Sequence, residues 1–166
     1  MIGNLPQRKP NRLKNFNYSS VNYYFVTVCA KNRKCYFGKI ENQEMRENKI
    51  GKLLRQIWME LDKIFTGIEL DIFVIMPNHF HGILIFNESP KYRIAQKPAT
   101  LSQIIGAFKS KTNLFTRKQI FPDFSKINLW QKTFYDRVIR NDADLEKIRE
   151  YICNNALKWE LDDYYR

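Results

Sequence analysis

The sequence predicts a two-layer α+β domain in which helices cover an antiparallel sheet, and two observations carry that prediction. Strings rich in β-branched and aromatic residues alternate along the chain with strings whose apolar residues recur every three or four positions, the periods of strand and helix. The resulting order is strand, helix, strand, strand, helix, strand, helix, and the turn signal between the adjacent pair of strands suggests an antiparallel hairpin. With 166 residues, 44% of them hydrophobic, the chain is long and apolar enough to bury one sizeable core, so residues 21–166 are expected to form a single domain.

Residues 1–20 carry Arg8, Lys9, Arg12 and Lys14 among Pro, Asn and Ser, and read as a basic arm. The string NYYFVTVCA, from Asn22 to Ala30, reads as a strand, and KNRK after it as a loop or turn. From Asn48 to Phe65 the apolar residues Ile50, Leu53, Leu54, Ile57, Trp58, Leu61, Ile64 and Phe65 mark an amphipathic helix. Ile68 to Met76 and His79 to Phe86 are strands either side of a Pro77-Asn78 turn. A loop follows to Thr100, a plausible cap for a helix that places Leu101, Ile104, Ile105, Phe108 and Leu114 on one side and carries Lys109, Lys111, Arg117 and Lys118. Leu129 to Ile139 reads as a strand, irregular at its start. The last helix starts at Asn141 or Asp142 and runs through Leu145, Ile148 and Ile152. The order fits a ferredoxin-like arrangement, helices on one face of the sheet, with an added C-terminal helix.

The chain holds 28 Lys and Arg against 17 Asp and Glu, a net charge of +11, which favours a polyanionic partner such as nucleic acid or an anionic surface. No apolar run is long enough to span a membrane and no secretory signal is visible, so no membrane partner is expected. Cys29, Cys35 and Cys153 are odd in number and contain no CxxC pair, which suits a reducing cytoplasm. Nothing matches GxxxxGK[ST], so no nucleotide cofactor is expected.

The two histidines of the chain, His79 and His81, stand two apart inside VIMPNHFHGILIF. Alternation on a strand turns both to one face and Phe80 to the other, about 6.5 to 7 Å apart along the strand, which one metal ion can bridge when the rings turn inward. A buried, hydrogen-bonded pair of core histidines is the competing reading. Two histidines and an oxygen ligand, with open positions, suit Mg²⁺ or Mn²⁺ acting on a phosphate better than a structural zinc. On the last helix Tyr151 and Asn155 lie four apart, on one face and beside the apolar stripe, where they could meet the edge of the sheet. Helix geometry alone favours reading Tyr151 as a packing residue with a wet hydroxyl over a nucleophile.

The strings IMPNHFHGILIF and LWQKTFYDRVIRNDADLEKIREYICNNALKW, with the opening RKPNRLKNFNYSSVNYYFVTVCAKNRKCYFG, resemble the tyrosine transposases associated with repetitive extragenic palindromes (REPs), a branch of the single-tyrosine HUH endonucleases. The resemblance implies metal ligation by His79 and His81, with Asn155 as the third protein ligand, and Tyr151 as nucleophile. It also implies cleavage of single-stranded DNA beside a hairpin through a 5′-phosphotyrosine, leaving a free 3′-hydroxyl, with the option of rejoining. Ala156 departs from the family's NNPLKW ending, which touches the helix end rather than the chemistry.

For single-stranded or hairpin DNA the candidate contacts are Arg8, Lys9, Arg12, Lys14, Lys31, Arg33, Lys34, Arg137 and Arg140, with Tyr135 and Phe134 available to stack on unpaired bases. Lys147, one turn before Tyr151, is a candidate to stabilise the phenolate. Two rival readings stand beside this one: a hairpin-binding module without cleavage, and a histidine-dependent nucleotide hydrolase, whose usual third alternating histidine is missing. Monomer and homodimer both stay open.

Overall fold

The computed structural model describes residues 22–87, 99–123 and 126–165. The arm residues Arg8, Lys9, Arg12 and Lys14 therefore lie outside the described residues. Four strands form one antiparallel sheet: β1 (Asn22–Cys29), β4 (Ile68–Ile75), β5 (His79–Phe86) and β6 (Tyr135–Ile139), in the order β4-β5-β1-β6. Between β1 and α1 (Lys49–Met59) lies a separate two-stranded ribbon, β2 (Gly38–Glu41) and β3 (Glu44–Glu47). A short α2 (Leu61–Ile64), α3 (Leu101–Gln119) and α4 (Asp142–Asn154) complete the elements that frame the site. This is the expected ferredoxin-like α+β arrangement.

Alternation along the strands divides the sheet cleanly. Tyr24, Val26, Val28, Phe80, Leu84 and Phe86 face α1 and α3 and are buried with Leu54, Trp58, Ile104, Ile105 and Phe108. Ile83 and Ile139 face the other way, where Leu145, Ile148 and Ile152 of α4 cover them beside Phe25, Ile72 and Val74. The added helix thus lies on the opposite face from α1 and α3. A β-bulge between Leu70 and Phe73 lets both of those residues reach the α1 and α3 side, and leaves Asp71 to take Arg149 of α4 at 2.8–2.9 Å. Gly82 marks a close approach on the helix side: a Cβ there would sit 2.7 Å from Trp58 and 2.9 Å from Phe80.

Local chemistry explains where the elements start. Asn48 caps α1 by accepting from Ile50 and Gly51, Thr100 and Gln103 form a reciprocal capping box on α3, and Asn141 caps α4 by accepting from Asp144. Four expectations are corrected. The helix expected from Asn48 to Phe65 breaks at Glu60 into α1 and α2. Leu114 is exposed, because the buried stripe of α3 continues from Phe108 in steps of four through Thr112 and Thr116. The strand expected from Leu129 keeps only an isolated bridge at Trp130 before β6 starts at Tyr135. There the Trp130 indole donates to Thr112 Oγ1 at 2.7 Å, and Lys109 Nζ takes the carbonyls of Gln131 and Lys132, which removes them from the ladder. Phe134 is buried in the main core, so it cannot stack on a base.

Candidate functional site

The site is built first on β5. Because His79 and His81 alternate with Phe80, both imidazoles emerge on the α4 face, their ring centroids 4.5 Å apart. Each ring is held by a partner close to it in the sheet. His81 lies opposite Thr27 in register, and its Nδ1 is 2.8 Å from Thr27 Oγ1. His79 Nδ1 donates to Asn78 Oδ1 at 2.9 Å, and the Asn78 amide end is itself fixed by donating to the carbonyls of Arg33 and Tyr164. That network fixes the tautomer: the proton sits on His79 Nδ1, and Nε2 presents a bare lone pair. Both rings are buried. Burial, and then the neighbouring His81, hold His79 well below the ordinary imidazole range, and burial holds His81 at about 3. Both are neutral at neutral pH, the form that ligates metal.

The last turn of α4 brings Tyr151 to this pair. Its hydroxyl is 3.2 Å from His81 Nε2, and Phe25 stacks on His81 while meeting Tyr151 edge-on, so one aromatic ring orients both groups. Tyr151 remains 43% exposed, so the phenol opens outward as well as onto the histidines. Burial, with the Asp162 carboxylate second, raises its pKa, and the phenol is protonated at neutral pH.

Asn155, the C-cap of α4, is buried and its Oδ1 has no hydrogen-bond partner. Its Nδ2 donates to Asp162 Oδ2 at 3.4 Å. Helix α4 ends at Asn154 without the expected proline; the chain tightens through a bond from Asn155 N–H to Ile152 O and turns into a short 3-10 segment, Trp159–Leu161.

The segment after that turn folds back over the histidines. Asp162 Oδ2 is 3.9 Å from His79 Nε2, and His79, His81 and Asp162 offer ligand atoms that all lie within 4.8 Å of one another. Tyr164 packs its ring on His79 at 4.6 Å, and the Arg33 guanidinium lies over Tyr164 while donating to the Asp163 carbonyl. A pocket of about 190 Å³ opens beside Tyr151, with Asn155, Lys158 and Asp162 in its wall. Lys147 is exposed on α4 and does not line that pocket; Lys158 supplies its cation.

The structure thus brings Tyr151, His79, His81 and Asn155 together. Among the expected phosphate contacts, Lys31 and Lys34 are exposed in the loop after β1, Arg33 anchors the C-terminal segment, Arg137 pairs with Asp144 at 2.5 Å, and Arg140 is exposed between β6 and α4. Tyr135 is 47% exposed and lies opposite Thr27, on the histidine face. Sequence reading missed Asp162, Asn78, Thr27, Phe25 and Tyr164. Each meets the histidines through sheet register or chain reversal, and no local spacing announces such contacts.

Residues 17–155 match the family described as "Transposase IS200 like". The chain belongs to the IS200-like transposase family. A Haemophilus influenzae relative, itself uncharacterised, is 37% identical over 173 residues, covering 95% of this chain and 93% of that protein. Among solved structures the fold is similar to a REP-associated tyrosine transposase bound to a REP hairpin (TM-score 0.61, 19% identity, 89% of this chain and 73% of that one). It is also similar to a transposase candidate from Deinococcus radiodurans (TM-score 0.51, 17% identity, 86% of this chain and 97% of that one). The coarse role of this IS200-like chain is that of a transposase, a DNA-cleaving protein. Among the described residues no helix is long and apolar enough to cross a membrane.

Proposed function

We propose that the chain is a metal-dependent endonuclease and strand transferase for single-stranded DNA beside hairpins, with Tyr151 as nucleophile. The observation that carries this reading is the meeting of an outward-opening phenol with His81 Nε2 at 3.2 Å, next to a second imidazole whose Nε2 has no partner. The likeness to a REP-associated transposase bound to a REP hairpin supports hairpin DNA as substrate.

The residues fit a divalent cation. Two neutral imidazole nitrogens and a nearby carboxylate converge, Asn155 adjoins that carboxylate through its Nδ2 and keeps a buried Oδ1 without a partner, and buried polar atoms without partners are rare unless something completes them. His79, His81 and Asn155 would hold Mg²⁺ or Mn²⁺, which when bound supplies positive charge to a nonbridging phosphate oxygen. Everything else falls to the chain. Tyr151 Oη attacks the scissile phosphorus, a bond from tyrosine to the 5′-phosphate forms, and the bond from phosphorus to the 3′-oxygen breaks. The phenol proton has to leave and the 3′-oxygen has to gain one, so the step is balanced in charge. Phe25 and the α4 packing hold the phenol in place, and Lys158, beside Tyr151, provides a cation for phosphate or phenolate. Because the phosphotyrosine retains the phosphodiester's energy, reversal by a 3′-hydroxyl rejoins strands without a nucleotide cofactor.

Lys31, Lys34, Arg140 and Tyr135, together with the basic arm, would hold the DNA backbone and unpaired bases. The test is a denaturing-gel assay of the protein with end-labelled hairpin DNA from the sequence flanking its own gene, with Mn²⁺, Mg²⁺ or chelator. A slow-migrating adduct that needs metal and vanishes in Tyr151→Phe is expected. Tight hairpin binding without any adduct would instead leave a binding module.

A further inference from the structure

Three features of Asp162 call for an explanation that its hydrogen bonds do not give. Its side chain is only 4% exposed, and among the described residues no Lys or Arg lies within ion-pair distance of it. Its carboxylate is aimed rather than merely buried: Oδ1 accepts from the Tyr164 N–H at 2.7 Å, while Oδ2 takes only a long bond from Asn155 Nδ2 at 3.4 Å and turns toward His79 Nε2 at 3.9 Å. The surroundings of Oδ2 are also unfinished, since His79 Nε2 beside it is buried without a partner, and Asn155, which turns its Nδ2 to Oδ2, keeps its own Oδ1 buried without one. A buried anion facing the bare lone pair of an imidazole is costly, because the lone pair repels it and one long amide bond replaces little of its hydration. A cation among those atoms removes the cost from all of them together.

We propose that Asp162 is a metal ligand, adding one carboxylate oxygen to His79, His81 and Asn155 and so clamping the C-terminal segment onto the site. The proposal rests on the metal reading above. Ligand atoms about 2.1 Å from a common ion stand about 3 to 4.3 Å apart, and the 3.9 Å from His79 Nε2 to Asp162 Oδ2 falls in that span. A donor set of two nitrogens and two oxygens, one of them charged, suits Mn²⁺ or Mg²⁺ better than a soft metal. Asp162 lies beyond Asn155, where the family match ends, so this oxygen belongs to a segment outside the matched span. Tyr164 on His79, the Asn78 bond to the Tyr164 carbonyl and Arg33 on Asp163 dock the same segment. Docking and metal affinity are then reciprocally linked: each strengthens the other by the same factor.

The test titrates the full chain with Mn²⁺ by calorimetry and follows tryptic cleavage after Lys158, which is exposed at the start of the segment, with and without Mn²⁺. Wild type, Asp162→Asn, Asp162→Ala and His79→Ala are compared, each checked for a native melting transition. We expect both Asp162 variants to bind Mn²⁺ at least tenfold more weakly, and Mn²⁺ to slow the cut after Lys158 in wild type alone. If both Asp162 variants bind Mn²⁺ within twofold of wild type while His79→Ala loses it, the histidine site stands and Asp162 is not a ligand. If His79→Ala binds like wild type, the ion is not at the histidines and both readings fall.

Discussion

His81 Nε2 has one lone pair and two claimants. The Tyr151 hydroxyl takes it at 3.2 Å, and a cation shared with His79 would need the same electrons. With an ion held there, His81 would no longer accept from the phenol, and Tyr151 would be free to face a phosphate. The second imidazole is prepared differently: Asn78 commits the His79 proton to Nδ1, so Nε2 needs no tautomer change to bind. Asn78→Ala removes that commitment, and such outer partners are worth about 10- to 100-fold in metal affinity; a Mn²⁺ titration should show a loss in that range. The same burial makes stability depend on pH. Both histidines are neutral in the fold, His81 with a pKa of about 3 against an ordinary 6.5, so below 6.5 the unfolded chain binds more protons than the native one. Stability is complete above about 6.5 and falls as the solution is acidified. The slope reaches about 1.4 kcal/mol per pH unit for each histidine. Thermal melts in chelator from pH 7.5 to 5.5 should show the decline, and His79→Asn with His81→Asn should flatten it.

Helix α4 decides where Tyr151 stands, and its position comes from three fixings along its length. Asn141 caps the start, Leu145, Ile148 and Ile152 bury one stripe against the sheet, and Arg149 grips Asp71 at the β4 bulge. Asn141→Ala should cost about 1 kcal/mol in a denaturant melt. On the other side of β5, Gly82→Ala would press a methyl group into Trp58 and Phe80, and should cost about 1 to 3 kcal/mol by the same measurement. The elements most legible in the sequence were those with a clean period or a cap signal: β1, β4, β5, the capped start of α3, and α4 from Asn141. The β2–β3 ribbon escaped notice because GKIE and EMRE are short and polar, and their turn places Asn42 and Gln43 at positive φ without a glycine. Tertiary bonds from Lys109 and Thr112 shortened β6, and no window of the local sequence contains them.

Across the whole molecule the site is assembled from β1, β5, α4 and the segment after it, and that division sets what sequence could show. His79 with His81 is a two-residue spacing and Tyr151 with Asn155 a four-residue one, so each pair was visible alone. Their meeting, and the arrival of Asp162 and Tyr164 from the end of the chain, depend on topology. The net charge of +11 belongs to this scale too: hairpin affinity should fall steeply between 50 and 200 mM salt, by about a thousandfold if six phosphates are contacted, and a flat response in a filter-binding titration would deny a multi-phosphate surface. The most direct test of the account is mass spectrometry of the covalent DNA adduct after trypsin and nuclease digestion. Cleavage after Arg149 and Lys158 isolates EYICNNALK, in which Tyr151 is the lone tyrosine. The account predicts a 5′-linked nucleotide on that peptide, formed only with divalent metal, and a free 3′-hydroxyl on the released strand. A nucleotide on the peptide carrying Tyr135 or Tyr164, or strand cleavage with no protein-linked product, would contradict it.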